Sequence, residues 1–239
     1  MPSLRDAGFR RSLDTALTAG AFKQLPASGR SAFLSVGVRI DLPARTHWLA
    51  EDDTARPALI VDGLIRANIA APDGRQLTVS YMRPGDIIGF FALFGGPFST
   101  AVETVTASTL LAFPPDVTAA LVLRDNANTQ LFARVVTRRL YVVVEELTLH
   151  VFGTLRERVC HHLLDLAMGE DPEGPLVAHV TQQELAASTG AARESVARVL
   201  RALTNEGLIR RAAEGIRLIR PLQMHPDHER WREHRMPIT

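Results

Sequence analysis

Apolar and polar positions change rhythm along the 239-residue chain, and each rhythm predicts a different architecture. From about Phe33 to Phe113 the apolar residues come in short runs closed by turn residues. "ALIVDGLIRANIA" (58–70) is two β-type runs broken at Asp62-Gly63, and "APDGRQLTVSYM" (71–82) is a Pro-Asp-Gly turn leading into alternating Leu77, Val79 and Tyr81. "RPGDIIGFFALFGGPF" (83–98) is a turn cluster followed by an apolar stretch, and "TVTASTLLAF" (104–113) is a further strand. Short strands recurring at roughly 8–12 residues predict an all-β sandwich or a barrel-like roll.

From Asn126 to Phe152 there is neither Gly nor Pro, and apolar residues recur at Phe132, Val136, Leu140, Val143 and Leu147. A second set at 131, 135, 142, 144 and 149 covers another face. A helix apolar on two faces needs two partners. One is the β-domain; the other is a second copy of the chain, along a seam roughly 38 Å long. A single long core helix in a monomer is the alternative. The "VVV" run (142–144) disfavours helix locally, so packing must override it. Gly153 breaks the pattern, and Thr154 with Glu157 three residues on forms a capping box before "LRERVCHHLLDLA". "MGEDPEGP" (168–175) closes that helix as a turn-rich loop.

A third rhythm runs through "TQQELAASTGAARESVARVLRALTNEGLIRR" (181–211). Thr181 and Glu184 form another capping box, and Gly190 supplies a tight turn. The second helix places Val196, Val199, Leu200 and Leu203 inward and leaves Arg193, Glu194 and Arg198 outside. "GLIRRAAEGIRLIRP" then alternates about an Ala-Ala-Glu-Gly turn, which predicts a β-hairpin wing. Helix, turn, helix and wing make a winged helix-turn-helix, whose second helix enters the major groove by its N-terminal end. The side chains suit that placement: arginine donates two hydrogen bonds to guanine O6 and N7, and glutamate accepts from the cytosine amino group. The competing reading is a set of surface ion pairs at helical spacing.

Composition narrows the classes. A hydrophobic fraction of 46% with 22% charged residues describes a soluble globular protein. The only cysteine is Cys160, which rules out an intramolecular disulfide, a four-cysteine cluster and an all-cysteine zinc site, and fits a reducing, cytoplasmic compartment. The N-terminus lacks the apolar core of a signal peptide, and no apolar run approaches the ~20 residues of a membrane span. Net charge is only +1, but Ala191–Arg220 holds seven arginines against three glutamates, the footprint of a phosphate-facing surface or of a solvated helix and hairpin. No nucleophile–base pair, phosphate loop or metal motif supports an enzyme, and the tail histidines (His225, His228, His234) lack compact metal-ligand spacing.

Gly63 after a strand, "PGDIIG" (84–89), "RRL" (138–140), "LLDLA" (163–167) and above all "TQQELAASTGAARESVARVL" (181–200) resemble the cyclic-AMP receptor protein and fumarate–nitrate regulator superfamily of bacterial transcription factors, over about Ser31 to Pro221. The resemblance implies an α+β chain: an N-terminal cyclic-nucleotide-binding-type β-roll (1–125), a long dimerisation helix (126–152), a C-terminal winged helix-turn-helix (153–222) and a tail (223–239). It implies a homodimer on a palindrome of double-stranded DNA, with RNA polymerase as a further partner and no membrane. Arg193, Glu194 and Arg198 match the base-reading Arg-Glu-x-x-x-Arg of the cyclic-AMP receptor branch, with Ser195 beside them, which implies a TGTGA-like half-site rather than a TTGAT-like one. Thr181, Gln182 and Gln183 fall where the family contacts phosphates. Ala192 stands where a serine often caps the recognition helix, a loss worth ~1 kcal/mol. The dimer interface implied is Phe132, Val136, Leu140, Val143 and Leu147.

The sensor half departs from that family's cyclic-nucleotide site. An acidic residue is expected after Gly89, and Phe90, Phe91 and Ala92 stand there. An arginine is expected before Thr100-Ala101, and Phe98 and Ser99 stand there. The adenine-reaching hydroxyls are replaced by Val143 and Val144. An anionic phosphate without its arginine loses several kcal/mol, which argues against cyclic AMP. An iron–sulfur cluster is excluded by the single cysteine. Pro2 resembles the carbon-monoxide-sensing branch, but no cysteine or histidine ligand stands near Gln76–Tyr81, and His47 and His150 are haem candidates only in being histidines. Cys160 is either a redox-active thiol or a buried structural one, and the second is favoured. Phe90, Phe91, Phe94 and Phe98 either rim an apolar effector pocket or fill a core, and again the second is favoured. No cofactor or metal is assigned and the effector is left unknown; the alternative functions are an effector-dependent regulator (haem, an apolar small molecule or thiol redox) and a cyclic-nucleotide-type module whose winged helix contacts protein.

Overall fold

The computed structural model describes residues 6–49, 56–70, 76–95, 100–168, 176–213 and 215–224. Two compact units emerge, one from the described residues of 1–69 and 80–143, the other from those of 70–79 and 144–235.

The first unit begins with helices. Asp6 caps α1 (Ala7–Ala19) by accepting from the Gly8 amide at 3.0 Å, and α2 (Ala27–Val36) follows a 3₁₀ turn. Phe33 therefore lies in a helix, not in the first strand as its apolar neighbours suggest; strands start at Val38. The reason is tertiary: Phe33 is fully buried and packs edge-on against Phe22 (5.4 Å) and Phe113 (5.7 Å). The strands are β1 (Val38–Leu42), β2 (His47–Leu49), β3 (Ala58–Asp62), β4 (Ile65–Ala70), β5 (Gln76–Met82), β6 (Ile87–Ile88), β7 (Ala101–Thr104) and β8 (Ser108–Ala112). They form two four-stranded sheets, β1-β8-β3-β6 and β2-β7-β4-β5. The central pairings are antiparallel, with Ile40 and Ile60 both opposite Leu110. Gly63 turns β3 into β4 at φ +95°, and a Cβ there would lie 2.2 Å from the Ser108 hydroxyl, so the position admits only glycine. A short helix α3 (Phe91–Gly95) and α4 (Pro115–Leu123) lead to the 27-residue α5 (Asn126–Phe152).

The start of α5 seals this unit's core. Leu131 and Phe132 are buried, and Phe132 stacks on Phe90 with ring centroids 4.4 Å apart and lies 5.9 Å from Phe33. Phe132 is thus a core residue of its own chain, which corrects its place in the expected dimer seam: the aromatic cluster of the roll takes it up. Beyond it Val136, Leu140, Val143, Val144, Leu147 and Val151 are exposed, Leu140 at 62% and Leu147 at 60%. Val136, Leu140, Val143, Leu147 and Val151, three or four residues apart, keep to one stripe, with Val144 beside it.

In the second unit, α6 (Leu155–Leu166) starts at the predicted Thr154–Glu157 capping box. β9 (Ala167–Met168) takes up the first residue of the stretch read from sequence as a turn-rich loop, the rest of which, 169–175, lies outside the described residues, and β10 (Leu176–Ala178) follows. Next come α7 (Gln182–Thr189), α8 (Arg193–Asn205), β11 (Ile209–Ala212) and β12 (Gly215–Leu218). The wing is wider than a hairpin, because β9 and β10 extend it to a four-stranded sheet, β11-β12-β10-β9. Its core is Val159, Leu163 and Leu164 of α6, Leu185 of α7 and Val196, Leu200 and Leu203 of α8, all at most 1% exposed. Burial of such side chains is worth ~1.5–3 kcal/mol each and clamps α8 by its inner face.

Candidate nucleic-acid interface

The helix pair is set by local chemistry. Thr181 caps α7: its hydroxyl accepts from the Glu184 amide at 3.2 Å, and the Glu184 carboxylate accepts from the Thr181 amide at 2.8 Å. Gly190 ends α7 in the left-handed region (φ +63°), and the Ala191 amide donates back to the Ala186 carbonyl at 3.0 Å. That turn aims α8. Ala192 takes the N-cap position with no side-chain cap bond, so the first amides of α8 lack the partner that Thr154 and Thr181 give to α6 and α7.

With Val196, Leu200 and Leu203 inward, α8 leaves Arg193 in its first turn, and Glu194, Arg198 and Arg201 on its outer face, all exposed. Ser195 is half-buried and accepts from Arg198 Nη2 at 3.2 Å, which steers that guanidinium along the helix. Thr181 and Gln183 are exposed at the start of α7, and Gln182 is half-buried. All seven residues singled out from sequence therefore lie in one unit, on α8's first turns and α7's N-terminus. Sequence reasoning missed two further features. In the wing Arg210 stands directly opposite Arg217, two like charges on one face of the hairpin. On α6 Arg156 forms a two-pronged pair with Glu206 at the C-terminal end of α8 (Nη1–Oε1 2.7 Å), and holds that carboxyl below the usual range. The alternation of the wing could have exposed the first; the second spans fifty residues of chain and left no local signal.

Phe90 is buried against Phe132, whereas Phe91, Phe94 and Val143 are exposed, as is Val144 in the second unit; Thr100 is half-buried. Phe98 and Ser99 lie outside the described residues. Phe33, Phe113 and Phe132 pack with Phe90 in one buried cluster. The first unit has an open groove of about 540 Å³ lined by Leu17, Ala27, Arg30, Ser31, Leu34 and Ser35 of α1 and α2, helices the sequence reading did not place. His47 is exposed on β2, and His150 turns Nδ1 toward the Glu146 carbonyl at 2.9 Å. Cys160 is buried in α6, and burial pushes its thiol up to about 11, far from a reactive thiolate. Nearby on α6, His162 is buried, and desolvation lowers it to about 3, with the neighbouring His161 acting in the same direction. No helix among the described residues is long and apolar enough to cross a membrane.

Comparison with known proteins matches both halves. Residues 39–125 fit the cyclic nucleotide-binding domain family and residues 157–224 the Crp-like helix-turn-helix domain family. The chain is 32% identical over 178 residues to the transcriptional regulator LdrP of Thermus thermophilus, covering 73% of this chain and 88% of that one. It is 29% identical over 198 residues to the CRP-like cAMP-activated global transcriptional regulator of Mycobacterium tuberculosis, covering 80% and 88%. Among solved structures it resembles TTHA1359, a CRP/FNR-family transcriptional regulator of Thermus thermophilus, with TM-score 0.64 at 26% identity over 78% of this chain and 96% of that one. Its β-roll, long helix and winged helix-turn-helix are those of relatives that share both halves, and the chain belongs to the CRP/FNR family of DNA-binding transcription regulators.

Proposed function

We propose that the chain acts as a homodimer that reads a TGTGA-like palindrome, with half-sites about one helical turn apart, and that it does so without cyclic AMP. The observation that carries the reading is the exposure of Arg193, Glu194 and Arg198 at the N-terminal end of a helix that Val196, Leu200 and Leu203 lock into a core. Arginine and glutamate there reach guanine and cytosine edges, each good contact worth ~1–3 kcal/mol of discrimination. Thr181, Gln182 and Gln183, with Arg210 and Arg217 of the wing, supply phosphate contacts that fix the register. Dimerisation is supported by the exposed apolar stripe from Val136 to Val151, a surface that a solvated helix has no use for. RNA polymerase is the partner such a dimer addresses at a promoter.

The Mycobacterium tuberculosis relative is cAMP-activated. This chain lacks the acidic residue after Gly89 and any arginine at 98–99, and Phe90 is taken up by core packing. Those departures support binding that needs no cyclic nucleotide.

Fluorescence-anisotropy titration of the ligand-free protein onto a TGTGA-N6-TCACA duplex, beside a scrambled duplex, tests both parts. The expected result is a preference for the palindrome that weakens steeply with salt and falls by ~10-fold or more in Arg193→Ala. Equal affinity for both duplexes refutes the half-site, and no duplex affinity at any salt favours a winged helix that contacts protein.

A further inference from the structure

Within the second unit the last turns of α5 and the face of α6 bring together three side chains that the DNA-reading surface does not use. Glu146 comes from α5, and His161 and Asp165, four residues apart, share one face of α6. His161 Nε2 lies 2.5 Å from Glu146 Oε1 and 3.2 Å from Asp165 Oδ2, and one ligand atom from each of the three falls within 4.8 Å of the others. Glu146 is 5% exposed, yet its second oxygen, Oε2, is buried without a hydrogen-bond partner. A carboxylate oxygen accepts only, and burying one unsatisfied costs free energy that a nearby cation returns.

We propose that Glu146, His161 and Asp165 form a binding site for one divalent first-row metal ion per chain, with zinc the best-fitting occupant. One imidazole nitrogen and two carboxylates are a borderline donor set of the kind that suits zinc and its neighbours rather than calcium or a soft monovalent ion. A tetrahedral ion with bonds of ~2.1 Å holds its ligand atoms about 3.4 Å apart. The His161–Asp165 edge is already at 3.2 Å, and the His161–Glu146 edge has to open by about 1 Å for such an ion. A proton on His161 accounts for less: a single Nε2–H faces two carboxylates, and Glu146 Oε2 still has no partner. A doubly charged ion meets both carboxylates and the nitrogen at once. Three protein ligands leave a further position for water, and His161 and Asp165, each about one-fifth exposed, give the ion a way in. Coordination would join α6 to the end of α5 across the Gly153 break.

The test uses full-length protein freed of metal with a chelator, then titrated with Zn²⁺ in competition with a chromophoric chelator. The expected result is one ion per chain, with affinity reduced more than ~10-fold by Asp165→Asn and by Glu146→Gln, and unchanged when His225→Ala, His228→Ala and His234→Ala are made together. Binding that survives both Asp165→Asn and Glu146→Gln, or that disappears with the tail histidines, overturns the site. Should Glu146→Gln fail to fold, the partly exposed Asp165→Asn carries the comparison. Co²⁺ gives an independent readout: visible ligand-field bands that appear in the parent chain and shift or vanish in Asp165→Asn support the site, and identical spectra overturn it.

Discussion

Ala192 offers a substitution whose effect is read from within the same unit. Its backbone sits at φ −66°, ψ 142°, almost the conformation of Thr154 (φ −68°, ψ 160°), which caps α6 through its hydroxyl. Ala192 is exposed, so a threonine meets no crowding there. Ala192→Thr therefore places a hydroxyl beside the Ser195 amide, which without it donates only to the Ala192 carbonyl at 3.0 Å, so that the amide can turn to the side chain as Glu157 does to Thr154 at 3.2 Å. An N-cap of this kind is worth ~1 kcal/mol. For a chain of this size that raises the melting temperature by about 2–4 °C, followed by circular dichroism at 222 nm. Ala192→Val is the control: it has the same shape and β-branch but no oxygen, and is expected to give no gain. If threonine and valine shift the melting temperature equally, the missing cap is not what limits α8, and the reasoning about its first turn fails.

Two further outcomes follow from the geometry. Leu140→Glu combined with Leu147→Glu puts charge on an exposed stripe and leaves the core alone, so the chain is expected to stay folded yet sediment as a monomer and lose palindrome binding. Gly190 has φ +63°, and nothing lies within 4 Å of where a Cβ would stand, so Gly190→Ala costs only backbone strain, ~1–2 kcal/mol by urea unfolding, and Gly190→Asn costs less.

Much of the DNA-facing half was legible in the sequence because its signals are local. A Thr-x-x-Glu box, a glycine in a turn and a helix with one apolar face each act within a few residues, and α7, α8 and the wing appear where those signals place them. The sensor half was read only in its strands. α1 does place Phe9, Leu13, Ala16 and Leu17 at helical spacing, a signal the sequence reading passed over, whereas Phe22 and Phe33 pack on Phe113, some eighty or more residues away in the chain. Phe132 has the spacing of a seam residue, and only the position of Phe90 shows that it faces inward. Glu146 and His161 are fifteen residues apart with a helix break between them, so nothing in the spacing brings them together.

The wing sets Arg210 directly opposite Arg217. Arg210 and Arg217 repel each other across β11 and β12, a like-charge pairing that weakens a hairpin. On the proposed reading, a phosphate between them turns that repulsion into shared attraction. The same pair of charges then bears on both folding and recognition, and a substitution that removes one of them is expected to ease the free wing while weakening its hold on a nucleic-acid backbone.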